Sequence, residues 1–225
     1  MRTTTRALGL LAVVVATVAS LTACDPGPGS PVADPTVHGP SASHTATATP
    51  TPTPDPLAPA FVEVNAHSVG VGARNSRQLI DIPYTTPLAT AAAEFSTTIG
   101  VEPTVTAVPA NACFPASSTY DWGGIEFYFD PYGGTLHAAY SVSVTAAQTR
   151  GGLDLGAHGQ TVGTSLADVL AHVPGSQSGD RGEGHIEAVV DPQDGANWGV
   201  ILHIQSGTVH DFTAPGLFII GHGTC

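Results

Sequence analysis

A thiol placed directly behind Leu21-Thr22-Ala23 is where residue type and spacing in this chain most clearly dictate a reaction. The first six residues, Met1-Arg2-Thr3-Thr4-Thr5-Arg6, carry two positive charges, and an apolar run from Ala7 to about Ala19 follows. A basic start, a short apolar stretch and small residues before a cut site describe a secretory leader. Cys24 immediately after them makes a lipobox, in which a diacylglycerol is joined to the thiol and the leader is removed in front of it. The competing reading is an uncleaved spanning helix. The apolar run is at the short end of what crosses ~30 Å of hydrocarbon, and Pro26, Pro28 and Pro31 close behind it favour processing. A single acyl chain holds a protein only reversibly, whereas two give stable anchoring. The expected partner is therefore the membrane, reached through lipid on Cys24 at the extracytoplasmic face.

The other two cysteines, Cys113 and Cys225, form an even pair in an oxidising compartment and are expected to bond to each other. Closing a loop of just over ~100 residues is worth up to ~4–5 kcal/mol in the chain-entropy model. The bridge would also pin the last residue, which otherwise frays. With both thiols oxidised, thiol catalysis is excluded.

Histidine is the one unusual count, with ten in the chain and seven from His137 onward. Imidazole is a common metal ligand, but no pair shows the two- or four-residue spacing that sets two ligands on one face. His203 and His210, on either side of Gln205-Ser206-Gly207, are the best case; a framework role for strand histidines explains them as well. Asp191-Pro192-Gln193-Asp194-Gly195 lacks the alternating acids and distal Glu of a calcium loop, and reads as a hairpin turn built from turn-forming residues. Asp180-Arg181-Gly182-Glu183-Gly184 reads as a flexible loop. No nucleophile elbow, phosphate loop, zinc-protease helix or paired-cysteine motif is present. No catalytic, cofactor-binding or metal-ligating residue is assigned.

Charge narrows the partners further. The formal net charge is −12, there is no lysine, and two of the six arginines lie in the leader. Four dispersed positive residues cannot build a phosphate-tracking stripe, which excludes nucleic acid.

These residues must be positioned by the elements around them. Residues 1–23 are the leader. Residues 24–58 are the lipidated cysteine and a Pro/Thr/Ser-rich linker with almost nothing apolar to offset its ordering entropy. As extended Pro-rich chain it reaches up to roughly 100 Å. Residues 59–225 form the folded domain, in which alternating segments such as Phe61-Val62-Glu63-Val64 and Ile125-Glu126-Phe127 bounded by turn residues predict strands. Two helices are predicted. One runs from about Pro87 to Ile99, with Thr86 as cap and Gly100 as stop; the other from about Ser165 to Val173, with Leu166, Val169, Leu170 and Val173 on one face.

Three blocks recur in order: Thr85–Thr90 with Gly163–Asp168, Trp122–Ile125 with Trp198–Ile201, and Gly134–His137 with Gly207–His210, at offsets of 78, 76 and 73 residues. This predicts duplication and an α+β fold of two tandem helix-plus-antiparallel-sheet units, about 59–148 and 149–225, preceded by an N-terminal hairpin turning near Ala73-Arg74-Asn75-Ser76. Trp122 and Trp198 are expected in equivalent core positions, with Gly123 and Gly199 admitting close neighbours. The Gly216–Gly223 tail is expected as a final strand returning Cys225 to Cys113.

With its lipobox, Thr/Pro tether, tandem Trp-Gly strands and the stretch from Val162 to Leu170, the chain resembles a group of secreted actinobacterial lipoproteins. That resemblance spans Leu21 to the end and implies location and architecture, with no activity to carry over. A weaker likeness, in unit size and element order alone, is to the β-lactamase-inhibitor-protein type of fold. The function expected is that of a non-enzymatic binding or interaction module of the envelope, with a protein or glycan ligand and no cofactor. An envelope hydrolase with a site assembled from distant residues, and an extracytoplasmic metal binder, are the alternatives.

Overall fold

The computed structural model describes residues 54–111, 115–129, 138–180, 184–193 and 198–217. Cys24, Cys113, Cys225, the leader, the linker up to Thr53, His137 and the tail beyond Leu217 lie outside the described residues, and with them the proposed lipid site and disulfide.

Strands dominate. Their order is β1 (Pro59–Val64), β2 (Ser68–Ala73), β3 (Gln78–Pro83), helix α1 (Leu88–Ile99), β4 (Thr104–Val108), β5 (Ser117–Asp121), β6 (Ile125–Tyr128), β7 (Ser141–Val144), β8 (Asp154–Gly156), helix α2 (Leu166–His172), β9 (Gln177–Asp180), β10 (Ile186–Gln193), β11 (Trp198–Gln205) and β12 (Thr208–Leu217). They form a four-stranded sheet, β3-β2-β1-β8, and a continuous eight-stranded sheet, β4-β5-β6-β7-β12-β11-β10-β9.

This overturns the expectation of an α+β fold made of two tandem helix-plus-sheet units. The fold is mostly β, with two helices as minor elements. The predicted N-terminal hairpin does turn at Arg74–Ser76, but it is part of a three-strand meander, and β8 joins β1 in parallel. Residues 149–225 are therefore no separate unit: their first strand belongs to the small sheet, the remainder to the large one, and both sheets share one core. The physical reason is that pairing partners are not written locally. Asp154-Leu155-Gly156 is too short to show alternation, yet it supplies the edge that completes the small sheet.

Alternation sets which face is buried. β1 turns Val62 and Val64 inward, β6 Ile125 and Phe127, β7 Val142 and Val144, and β11 Val200, Leu202 and Ile204. α1 lays Ala91, Ala92 and Phe95 on β2, β3 and β6. Its Gly100 closes the helix in the left-handed region as expected, but Pro87 is the cap residue and Thr86 takes no capping role. In α2 the cap is Ser165, whose hydroxyl accepts the Asp168 N–H at 3.1 Å. Of the predicted α2 stripe, Val169 and Val173 are buried and Leu170 is exposed. The two tryptophans are not equivalent. Trp122 is fully buried against Phe95 and Phe127, whereas Trp198 is half-buried with its ring edge-on to His67 at 5.2 Å between centroids.

On the opposite face of the large sheet Glu126 stands beside Asp121. Partial burial, and then the Asp121 charge, raise the Glu126 carboxyl above its ordinary value. A carboxyl raised in the folded state favours folding in its protonated form, so the advantage exists at low pH and is lost as pH rises through the folded value. Glu126→Gln is accordingly expected to raise stability at neutral pH by less than about 1 kcal/mol, given solvent screening at this partly exposed group. The gain should vanish below pH ~4; urea titrations at both pH values check it.

Candidate functional groove

The outward face of the four-stranded sheet carries polar side chains around two grooves. Because Val62 and Val64 point inward, Phe61 and Glu63 of β1 point outward. Register places Phe61 between Gly72 of β2 and Asp154 of β8, and Glu63 between Gly70 and Gly156; Asp81 of β3 lies beyond Gly70. The glycines keep the floor flat. A Cβ on Gly72 would fall 2.0 Å from Cζ of Phe61, so the ring rests directly on that backbone.

Two grooves meet at Phe61 and Glu63. The larger, about 690 Å³, is lined by Phe61, Glu63, Gln148, Asp154, Gln160 and Thr161 among others. The smaller, about 260 Å³, runs over Gly70 and Gly72 between Asn65, Gln78 and Asp81. Each carboxylate is aimed by an internal donor. Glu63 accepts the His158 N–H, Asp154 accepts Gln148 Nε2 at 2.8 Å, and Asp81 accepts the Ser68 hydroxyl. The Thr161 hydroxyl, beside the larger groove, is buried without a partner among the described residues. Neither lining contains Arg or His, so the local potential is negative. Such a surface can hold hydroxyl- or amide-bearing ligands and repel anions.

Three of the described histidines, His67, His158 and His172, stand in separate settings. His67 contacts Gln193 Oε1 at 3.3 Å. His158 lies 3.6 Å from Asp191, whose carboxylate also accepts the Ala66 N–H at 2.9 Å and the Gln193 amide at 2.8 Å. Asp191 is thus a bulged residue of β10 tying the large sheet to the β1–β2 turn, with the hairpin link following Gln193; Asp194 and Gly195 lie outside the described residues. His172 donates from Nδ1 to the Asp168 carbonyl at 2.9 Å and, with His158 and Asp191, lines a recess of about 470 Å³.

His203 and His210 do come together, through a residue that sequence reasoning missed. Asp211 pairs with His203 across β11 and β12, and a bulge makes His210 the extra residue beside it. Asp211 Oδ1 meets His203 Nδ1, and Oδ2 meets His210 Nδ1 at 2.8 Å. The sequence held no periodic signal for this, since the bulge breaks the two-residue alternation. Among the described residues no group of three or more His, Cys, Asp or Glu side chains stands in ready metal-binding geometry. Trp122 and Trp198 are far apart in role, one in the core and one at a turn, and form no shared aromatic platform. Burial raises the phenols of Tyr84 and Tyr140 well above their ordinary range, holding both neutral in the core.

No protein-family model, curated protein or solved structure matches this chain.

Proposed function

We propose that this protein is a lipid-anchored extracytoplasmic binding module whose ligand, a neutral glycan of the envelope, lies across the open face of the four-stranded sheet. The observation that carries this reading is the Phe61 ring, seated on Gly72 between two grooves and surrounded by aimed carboxylates and side-chain amides. An aromatic face accommodates the apolar face of a sugar ring, and the oxygens and amides around it satisfy hydroxyls. The absence of Arg from both linings, on a chain of formal net charge −12, disfavours anionic ligands. The Cys24 lipobox and the Pro/Thr-rich linker support display at a distance from the membrane. No helix among the described residues is long and apolar enough to cross a membrane.

Isothermal titration of the full chain with neutral cell-wall oligosaccharides tests the ligand. Binding is expected, with Phe61→Ala weakening it at least ~10-fold, as for an aromatic hot spot. Gly72→Ala should weaken it as well by unseating the ring. Undiminished binding by Phe61→Ala, or binding of acidic oligosaccharides alone, would refute the reading. Cell fractionation tests the anchor: Cys24→Ser should move the protein out of the membrane fraction, and a variant that stays there would refute lipidation.

A further inference from the structure

The β4 end of the eight-stranded sheet has no part in the groove, and we infer that β4 pairs with β4 of a second copy of this chain, joining two large sheets across a two-fold axis. Among the described residues β4 is paired on one side only, with β5. Its five residues are all exposed. Three observations support the assignment.

First, β4 is the end strand without a charge. An end strand offers unpaired N–H and C=O groups to any other chain, and charged side chains are a common means of blunting it. Of the four end strands, β3 carries Asp81, β8 carries Asp154 and β9 carries Asp180. β4, Thr-Val-Thr-Ala-Val, carries none, and no charged residue lies between Glu102 and Asp121 in the chain. Copies of a chain with formal net charge −12 repel one another on most approaches. At β4 that repulsion is weakest.

Second, the apolar layer of the large sheet runs out to this edge. Register sets Val142, Phe127, Tyr120 and Val105 side by side on one face. Val142 and Phe127 are fully buried and Tyr120 packs partly buried against the core, but Val105 is 55% exposed. The row ends in solvent one residue past its cover.

Third, the strand is self-complementary. An antiparallel pair centred on Val105 sets Val105 against its own copy, and Thr104 against Thr106 of the second copy. On one face the two apolar rows then meet. On the other, threonines pair across the strands, which favours an antiparallel ladder. Pro103 donates no N–H and ends the ladder on each side. The two copies of Glu102 would stand about 20 Å apart at ~3.4 Å per residue, where physiological salt screens them. A two-fold pair leaves neither β4 open, so assembly stops at two. So short a ladder buries less than the ~1,200 Å² of a stable interface. The pairing is therefore reversible, and its test must trap it.

Oxidation of full-chain Val105→Cys, followed by a non-reducing gel, supplies the trap. A covalent species of twice the chain mass is expected. Wild-type chain and Leu170→Cys, whose position on α2 is 43% exposed, should give none. In sedimentation of the full chain, Val105→Asp gives β4 the guard the other end strands carry. It should weaken self-association at least ~10-fold, through like charges set face to face. Circular dichroism checks that Val105→Asp remains folded, and the Val105→Cys trap decides the matter even where it does not. Absence of the trapped dimer, equal trapping by Leu170→Cys, a Val105→Cys adduct with a different protein, or self-association unchanged in folded Val105→Asp would overturn the assignment.

Discussion

Trp122→Ala is expected to destabilise the protein by ~3–5 kcal/mol, the range for truncating a large buried aromatic, while Trp198→Ala should cost less than half as much. The contrast follows from placement, not residue type. The Trp122 ring packs against Phe95 at 4.7 Å and Phe127 at 4.9 Å between centroids, with no solvent-exposed surface. Its indole N–H donates to the Val101 carbonyl at 3.1 Å and lies 3.3 Å from the Ser96 hydroxyl. Removing it leaves a cavity where α1 meets the eight-stranded sheet and orphans a carbonyl that water cannot easily reach. Trp198 begins β11, is half-buried and touches His67 by a ring edge; its removal opens space that solvent can fill. A domain of this size has ~5–15 kcal/mol of stability in total, so Trp122→Ala should shift the urea midpoint far downward and Trp198→Ala only modestly. Equal shifts would mean that the two positions are packed alike after all.

That contrast marks how far the sequence could be read. The strands β1, β3, β6 and β11 were visible as short apolar-rich runs bounded by turn residues. The second helix was visible through Ser165 and its apolar spacing. The edge strands of the large sheet were not. β4, Thr-Val-Thr-Ala-Val, is exposed at every position, and β9, Gln-Ser-Gly-Asp, carries no apolar residue, so neither has a face for periodicity to report. The matched Trp-Gly blocks suggested equal packing. A tryptophan's surroundings depend on what lies opposite, however: Phe95 from α1 packs on Trp122, whereas His67 meets Trp198 edge-on. The groove was equally hidden. Phe61 and Glu63 were legible as strand residues, but Gly70, Gly72 and Asp154 become its floor and wall only once β8 crosses to join β1 in parallel. Asp211 acquired its place between His203 and His210 through one inserted residue in a ladder. A contact made by register or by a bulge has no local signature.

The turn joining β5 to β6 offers the second large effect, through a residue whose neighbours are all backbone or short side chains. Gly124 has φ of 106°, and a Cβ built there would fall 2.4 Å from the Gln148 carbonyl oxygen and 3.0 Å from the Ala146 Cβ. Neither neighbour can swing aside. Thr145 N donates to the Gly124 carbonyl at 2.9 Å, and Arg150 N to that of Trp122 at the same distance, so the segment from Thr145 to Arg150 is laced to this turn. Forcing an L side chain into such a backbone region costs ~1–3 kcal/mol, and steric insertion into packed structure adds a further ~1–3 kcal/mol. Gly124→Ala should therefore lower stability by about 3–5 kcal/mol, the middle of that combined range. Gly152→Ala provides the control, since Gly152 also has positive φ, at 78°, but nothing lies within 4 Å of its added Cβ. Only the backbone penalty of ~1–2 kcal/mol should remain there. Urea unfolding with matched slopes measures both. Because residues 146–149 also line the larger groove, Gly124→Ala should weaken ligand binding even where the protein stays folded, whereas Gly152→Ala should leave it intact. Similar losses of stability in the two variants would show that the close approach of Gln148 to this turn is not what holds it.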